Sequence, residues 1–521
     1  MSTEHPSRLL RLVLWAGAFP LVVTGCGRNA PVSPSPSPPA AAPVASPILP
    51  PVEETPEPAP EATPLPNGLA PLIKPFKGDL DGMRTRRLVR VLTVQNPVLY
   101  SVDRGREVGM TYEAMKALEK QLNQTAGGLG KTIYVVAIPV ARDELIPRLL
   151  KGEGDIIAGL FTVTPERQKL VDFSDPLATG VQEVLVTGPS APAMASLDDL
   201  SGQEIYVRPS SSYAEHLRKL NGRFQKEGKA PVKIVAAPEV LEDGDILEMV
   251  SAGLAPATVT DTPIADLYVQ VFPTLKKNSD IVSPPVQVAW AFRKGSPKLA
   301  AAVNAFVKTN KQGTLAGNIV INKYLKTTKW VKEAVSDADR KRFESMVAIF
   351  KKYADQYDFD VLLMAAQGYQ ESGLDQSKRS RVGAVGVMQV MPKTARDPSI
   401  NIPDITRLEP NIHAGIKYNR WVVDNFFNDP GLDRLNRELL AFASYNAGPG
   451  AVKRLRAQAK AQDLNPNKWF NNVELVAARQ IGRETVTYVS NIYKYYLAYQ
   501  MMLHRDAERD AAMSKAAKKK G

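Results

Sequence analysis

One cysteine in 521 residues, Cys26, excludes a disulfide framework, because a lone thiol has no partner. Four histidines, His5, His216, His413 and His504, stand isolated along the chain, and with a single cysteine they assemble no zinc set. There is no phosphate-binding glycine loop and no nucleophilic-serine elbow, so neither metal nor cofactor is expected. Long apolar runs are scarce too. The run at residues 12–23, interrupted by Pro20, rises only about 18 Å as a helix, against a hydrocarbon core of ~30 Å. No later stretch is long and apolar enough to span a bilayer. Sixty-six basic residues against 54 acidic ones give a net charge of +12. Part of that excess sits at the ends, in Arg8, Arg11, Lys515 and Lys518 to Lys520, and the rest is scattered, so nucleic-acid binding is not expected. What is present, 44% hydrophobic and 23% charged residues, suffices for real cores and excludes a wholly disordered chain. The length corresponds to about three domains.

Arg8 and Arg11 precede the apolar run, which ends in Val23-Thr24-Gly25-Cys26. This is the layout of an export signal, and the final four residues resemble the lipobox of bacterial lipoproteins, in which the cysteine becomes the lipidated amino terminus. Residues 1–26 are therefore read as a lipoprotein signal peptide and Cys26 as the lipidation site. Gly27, in place of an aspartate, favours the periplasmic face of the outer membrane over the inner membrane. Residues 27–87 are expected to form a disordered tether: 31–66 alone hold 14 of the 41 prolines, with few large apolar side chains to offset the entropy of ordering. At about 3.1 Å per residue that stretch reaches roughly 100 Å.

Strand-like and helix-like segments alternate from Leu88 onward, as in a sheet covered by helices on both faces. Gly154-Asp155-Ile156-Ile157-Ala158, Thr164-Pro165-Glu166-Arg167 and Val171-Asp172-Phe173-Ser174-Asp175-Pro176 resemble the bacterial extracellular solute-binding proteins that capture amino acids. The resemblance implies a two-lobed α/β domain at 88–326, with lobes 88–186 plus 282–326 and 187–281, and ligand in the cleft between them. It also implies that Arg167 grips a ligand carboxylate with help from Thr162, that Asp261 takes the amino group, and that Tyr100 forms an aromatic wall. A guanidinium suits a carboxylate because two parallel charge-assisted hydrogen bonds fix orientation as well as charge. The ligand expected is an amino acid or a muropeptide.

Beyond residue 327 the pattern turns helical. An apolar run from Val361 to Tyr369 ends in Gln370-Glu371-Ser372-Gly373, which places a carboxyl at the end of a buried helix, where desolvation disfavours its charged form. A raised pKa is what a general acid needs near neutral pH. Gln370-Glu371-Ser372-Gly373, Gly383-Ala384-Val385-Gly386-Val387-Met388-Gln389, Asn411-Ile412, Ser444-Tyr445-Asn446-Ala447-Gly448 and Glu484-Thr485-Val486-Thr487-Tyr488 resemble, in order, the soluble-lytic-transglycosylase family of lysozyme-like domains. With the binding-protein-like region and the export signal, the chain resembles the membrane-bound lytic transglycosylase F family. The expected fold is thus multidomain, an α/β two-lobed periplasmic-binding-protein-like domain followed by a mainly α lysozyme-like domain at 327–505, with a frayed and disordered basic tail at 506–521.

That resemblance implies cleavage of the β-1,4 bond between N-acetylmuramic acid and N-acetylglucosamine in peptidoglycan glycan strands, the muramyl 6-hydroxyl closing to a 1,6-anhydro sugar. It assigns Glu371 as catalytic acid and then base, and Ser372, Gly386, Met388, Gln389, Tyr445, Asn446, Glu484 and Tyr488 as substrate-binding residues. Gly386 would permit close approach of sugar, Met388 would supply an apolar contact, and Ser372 would reach Glu371 or the acetamido group. Glu484 and Tyr488, one helical turn apart, fit locking two helices together as well. Asp375 reads as a turn residue, which leaves no second carboxylate beside Glu371. A lysozyme-like hydrolase and a non-catalytic cell-wall sensor or scaffold remain the alternatives.

Overall fold

The computed structural model describes residues 74–518 except 104, 125–131, 195, 282, 335 and 336. Cys26, the signal peptide and residues 27–73 of the expected tether lie outside them. Order begins earlier than residue 88, which corrects the tether's far end. Leu80–Arg86 is a helix with Leu80 and Met83 buried. The Asp79 carboxylate accepts from Leu80 N at 2.7 Å and also from Lys298 N and Leu299 N at 2.9 and 2.8 Å, so one side chain caps two helices. Composition alone hides this, because the second helix start lies more than two hundred residues away.

Among the described residues, fourteen strands build two lobes and a small hairpin. β1 (Leu88–Thr93) pairs in parallel with β4 (Tyr134–Pro139) and β5 (Ile156–Ile157), and the first sheet runs β4-β1-β5-β14-β6, with β6 at Asp172–Phe173 and β14 at Ala291–Phe292. All but the first residue of β1 is buried, as befits a central strand covered on both faces. The second sheet runs β10-β9-β11-β8-β12, where β8 is Glu183–Thr187, β9 Glu204–Val207, β10 Lys233–Ala236, β11 Ala257–Asp261 and β12 Lys276–Ile281. The chain crosses between the sheets twice, and the crossings pair with each other as β7 (Ala178–Val181) and β13 (Val286–Val288). One lobe boundary needs correction. All of β8 belongs to the second sheet, paired with β11 and β12, so the first crossing ends near residue 182 rather than 186. Tyr324 and Leu325 bridge the lobes: they pack with Val184, Leu247 and Tyr268 of the second, while the Tyr324 hydroxyl donates to Glu113 of the first at 3.2 Å.

A small hairpin, β2 (Ser101–Asp103) with β3 (Arg106–Val108), leaves the first lobe toward the helical domain. There Val361–Ser372 (the Glu371 helix), Leu408–Phe426, Arg434–Ala447 and Arg483–Lys518 (the last helix) build a second core. One contiguous buried cluster runs from Leu92, Val136 and Ile138 of the first lobe to Met364, Phe442 and Tyr499 of the helical domain. The two domains therefore share a hydrophobic interior.

The last helix is 36 residues long, about 54 Å at 1.5 Å per residue. It runs as continuous helix to Lys518, where the basic tail at 506–521 was expected to fray and then lose order. Asp506 accepts from Gln95 of the first lobe at 2.8 Å, and Arg509 donates to Asp245 of the second lobe at 2.6 Å. Ala512 and Met513 pack against the cluster of Ala237, Leu241, Ile246 and Met249. Alanine, arginine, glutamate and lysine are strong helix formers, so a charge-rich tail continues as helix once it has a surface to dock on.

Asp155 at the end of β1's neighbour strand is wholly buried and accepts from Arg86, from both the backbone N–H and the guanidinium of Arg90, and from Arg293. Arg90 is likewise wholly buried. Removing the carboxylate strands three cations in the lobe. Asp155→Ala should therefore cost about 3–5 kcal/mol of unfolding free energy in a urea titration.

Candidate active site

Glu371 owes its place to how its helix begins and ends. Asp360 caps the start, accepting from Leu362 N and Leu363 N, and its own N–H donates to the buried Glu438 carboxylate at 3.1 Å. Gly373, at φ 73°, stops the helix in the left-handed conformation that glycine adopts without strain. Glu371 thus falls in the last turn, after a buried run from Leu363 to Gly368. Burial pushes its carboxyl up to about 7, and the Tyr488 hydrogen bond and the nearby Lys378 charge oppose that rise. Among these groups none is a second carboxylate. Asp375 turns back on its own loop, accepting from Ser377 N at 2.8 Å.

The Tyr488 hydroxyl donates to Glu371 Oε1 at 2.5 Å. Behind it Gln367 Nε2 donates to the Tyr488 oxygen at 3.2 Å, and Asn419 Nδ2 donates to Gln367 Oε1 at 2.6 Å. Each donor is oriented by the next, so the tyrosine proton is aimed at the carboxylate. Gln367 and Asn419 are fully buried. Sequence reading missed both, although a polar residue one turn before Glu371 in an apolar run was the available signal.

The loop after the helix is held from below. Asn411 accepts from Met388 N at 2.8 Å and donates to Val385 O at 2.8 Å, and Gln376 accepts from Val387 N. This corrects several assignments. A side chain at Gly386 would collide with Asn411 and Gln376 at 2.6 Å, so the glycine makes room for the clamp and not for sugar. Met388 is fully buried and packs against Gly415, so it offers no apolar surface to substrate. Its carbonyl instead accepts the Tyr445 hydroxyl at 2.6 Å. Ser372 donates to Val387 O at 2.9 Å rather than to Glu371. Gln389 Nε2 donates to Gly386 O at 2.8 Å. Asn446, exposed, accepts from Thr485 at 2.6 Å and ties the Arg434–Ala447 helix to the last one. Glu484 is exposed in the last helix's first turn and has no part in these bonds. Glu371, Tyr488 and Tyr445 come together, the two phenols each facing the Glu371 charge.

Between the lobes lies a cavity of about 100 Å³ lined by Arg142, Phe161, Thr162, Arg167, Arg208, Ser210 to Ser212 and Tyr213. Arg167 sits over the Phe161 ring at 4.4 Å and donates to Thr162 O at 2.8 Å and, across the cleft, to Ser210 O at 3.1 Å. Arg142 of the first lobe pairs with Glu242 of the second at 2.8 Å, and Asn96 donates to the same carboxylate at 3.0 Å. Asp261 is buried beside Tyr213, whose hydroxyl accepts from its N–H at 3.3 Å. Burial and the neighbouring Asp243 and Glu183 charges push the Asp261 carboxyl up to about 8. Tyr100 is not in the cleft. It is buried on the other side of the lobe and donates to Glu107 at 2.7 Å, and the aromatic wall is Phe161. The resemblance alone had pointed to Tyr100; Phe161, five residues before a glutamate-arginine helix start, gave no distinct signal.

Two family models match, in order: bacterial extracellular solute-binding proteins, family 3, over residues 89–326, and the transglycosylase SLT domain over 348–468. A membrane-bound lytic murein transglycosylase F of Desulfosudis oleivorans is 28% identical over 440 residues, 80% of this chain and 90% of that protein. One from Pseudomonas putida strain W619 is 29% identical over 448 residues, covering 80% and 86%. Over most of its length the chain is thus similar to membrane-bound lytic murein transglycosylases F. In this chain the α/β binding-protein-like domain is followed by the helical transglycosylase-like domain, as the motif order implied. Among solved structures, an ancestral arginine-binding protein bound to arginine aligns at 26% identity, covering 46% of this chain and 98% of that one, with a TM-score of 0.39.

The Glu371 carboxyl carries a pH signature. Its pKa rises on folding from 4.5 to about 7, so its contribution to stability is complete below the unfolded value and is lost as pH rises through 7. Glutamine cannot ionise and escapes that loss. Glu371→Gln should gain stability over the wild type by roughly 1–3 kcal/mol between about pH 4 and pH 8, read from denaturant titrations at each pH.

Proposed function

We propose that this protein is a peptidoglycan lytic transglycosylase that cleaves the β-1,4 bond between N-acetylmuramic acid and N-acetylglucosamine without water. Glu371 protonates the departing glycosidic oxygen. The muramyl 6-hydroxyl then bonds to its own anomeric carbon and returns its proton to the Glu371 carboxylate, so the enzyme ends as it began and the product is a 1,6-anhydro sugar. The observation that carries this reading is a lone carboxyl, desolvated to a pKa of about 7 and held by Tyr488, with no second carboxylate acting on it among the described residues. A retaining hydrolase that uses a protein nucleophile needs a carboxylate pair roughly 5–5.5 Å apart. An internal hydroxyl held against the anomeric carbon needs only orientation, worth up to about 7–11 kcal/mol where alignment is good. Tyr445, anchored to the loop carbonyl of Met388, supports a role for that phenol as a wall of the sugar site. Asn446, Gln389 and Glu484 remain candidates for sugar contact at its rim.

The binding-protein-like domain is read as a regulatory sensor for an amino acid or muropeptide. Arg167 and the Ser210–Ser212 run suit a carboxylate, and Asp261, with one buried carboxylate oxygen lacking a hydrogen-bond partner, suits an ammonium. Cys26 as a lipid anchor, and the periplasmic face of the outer membrane as the site of action, rest on the lipobox-like sequence; the relatives named above are described as membrane-bound.

Digestion of purified sacculi followed by mass spectrometry tests the reaction. Products lighter by one water than reducing-end muropeptides are expected, and Glu371→Gln should lower their release at least about a thousandfold. Reducing-end products, or undiminished release by the variant, would refute the assignment. The cleft makes a separate prediction. Below about pH 8 Asp261 holds a proton that an incoming ammonium must displace. Titrating the protein calorimetrically with a stem peptide, in buffers of different ionisation heat, should show proton release near pH 7 that Asp261→Asn abolishes.

A further inference from the structure

We propose that the tip of the β2–β3 hairpin is a wedge that sets the spacing between the Glu371 helix and the last helix, making Gly105 and Tyr499 positioning residues for the catalytic acid. The hairpin belongs to the binding-protein lobe, so the catalytic site is completed by a domain that does no chemistry. This rests on reading Glu371 as the acid.

Three contacts line one seam. Tyr488, Tyr495 and Tyr499 are spaced by seven and four residues, about two turns and one turn, and share one face of the last helix. Tyr488 meets Glu371 at 2.5 Å. Tyr495 meets the Tyr369 ring edge-on, with centroids 4.6 Å apart. Tyr499, buried, donates to Gly105 O at 2.8 Å. Gly105 also touches the other helix. A Cβ added there would lie 2.6 Å from the Tyr499 hydroxyl, 3.0 Å from the Tyr369 ring and 3.1 Å from Leu374. Tyr369 and Leu374 flank Glu371 in sequence, two residues before and three after. The hairpin tip therefore presses on both helices whose separation determines the Tyr488–Glu371 bond.

The wedge has a rigid mount. Tyr100, at the hairpin's root, bonds Glu107 on the returning strand at 2.7 Å, and Met110 N and Thr111 N donate to Val98 O and Leu99 O at 2.8 and 2.9 Å. Gly105 has a φ of 82°, so glycine there serves both the turn and the close approach.

The test uses the full chain with a soluble uncrosslinked glycan strand, following anhydro-product formation against pH. The groups facing Glu371 are Tyr488 from the last helix, Tyr445 from the Arg434–Ala447 helix and Lys378 from the following loop. Gly105→Ala should spread the seam, lowering kcat by roughly tenfold with KM within about twofold, since a small misplacement suffices. Because the Tyr488 bond holds the carboxyl's proton affinity down, its loosening should also move the alkaline limb of the kcat profile to higher pH. Tyr499→Phe, which removes only the hydroxyl, should act in the same direction but less, and it carries the test if Gly105→Ala does not fold. In a Tyr488→Phe background the limb shift of either variant should vanish, because all act through one bond. Unchanged kcat and limb in both variants, or a limb shift that adds in full to that of Tyr488→Phe, overturns the wedge. Glu371→Gln keeps the two claims apart: an active Glu371→Gln enzyme removes the catalytic reading and the wedge with it, whereas an inactive one beside normal Gly105 and Tyr499 variants removes the wedge alone.

Discussion

The Tyr488 hydroxyl and the Glu371 carboxylate, 2.5 Å apart, reconcile two opposing demands on one side chain. An acid that is to work near neutrality must be dry enough to hold its proton, yet a dry carboxylate with no partner costs too much once the proton has gone. A single phenol from a neighbouring helix meets both needs. It leaves desolvation as the stronger influence while giving the anion one directed donor. The buried amides of Gln367 and Asn419 hold that donor's orientation, so the polarity of the site is carried into the core along a line of hydrogen-bonded groups. The surrounding loop, with Gly386 giving way to Asn411 and Gln376, is a support for this arrangement more than a surface for sugar.

The binding-protein domain is not an appendage on a linker. Its first lobe shares a hydrophobic cluster with the helical domain, and Arg87 of that lobe pairs with Glu474 at 2.9 Å. Both lobes are also bridged to each other by Arg142 and Glu242 and by Arg167 and Ser210. The ligand proposed for the cleft would compete for the same guanidinium groups that hold the lobes together. Any preference it has for one lobe arrangement is then felt at a shared interior, which is the condition for linkage between sites.

Much of this placement was legible in the sequence. The desolvated setting of Glu371 could be read because it follows from a pattern: an apolar run, a carboxyl and a glycine stop. The place of Arg167 and Thr162 on the cleft could be read because the motif around them is local. Met388, Ser372 and Gly386 could not, since the same residues serve equally well facing a sugar or bracing a loop, and only the position of Asn411 and Gln376 decides between them. Tyr100 was misplaced because a resemblance carried over by position does not say which way a side chain turns. The helix at Leu80–Arg86 and the end of the last helix were hidden because each is stabilised by partners hundreds of residues away, Lys298 and Leu299 for one, Gln95 and Asp245 for the other.

The docking of Met513 and Ala512 on the second lobe carries a consequence for how the chain matures. Synthesis proceeds from the amino terminus, so the patch formed by Leu241, Ile246 and Met249 emerges some 260 residues before its cover. Until the closing segment arrives, the nascent molecule presents greasy surface that quality-control proteases and holdases can grip. A product broken off after the glycan-cleaving core would keep every active-site residue and still be marked as unfinished.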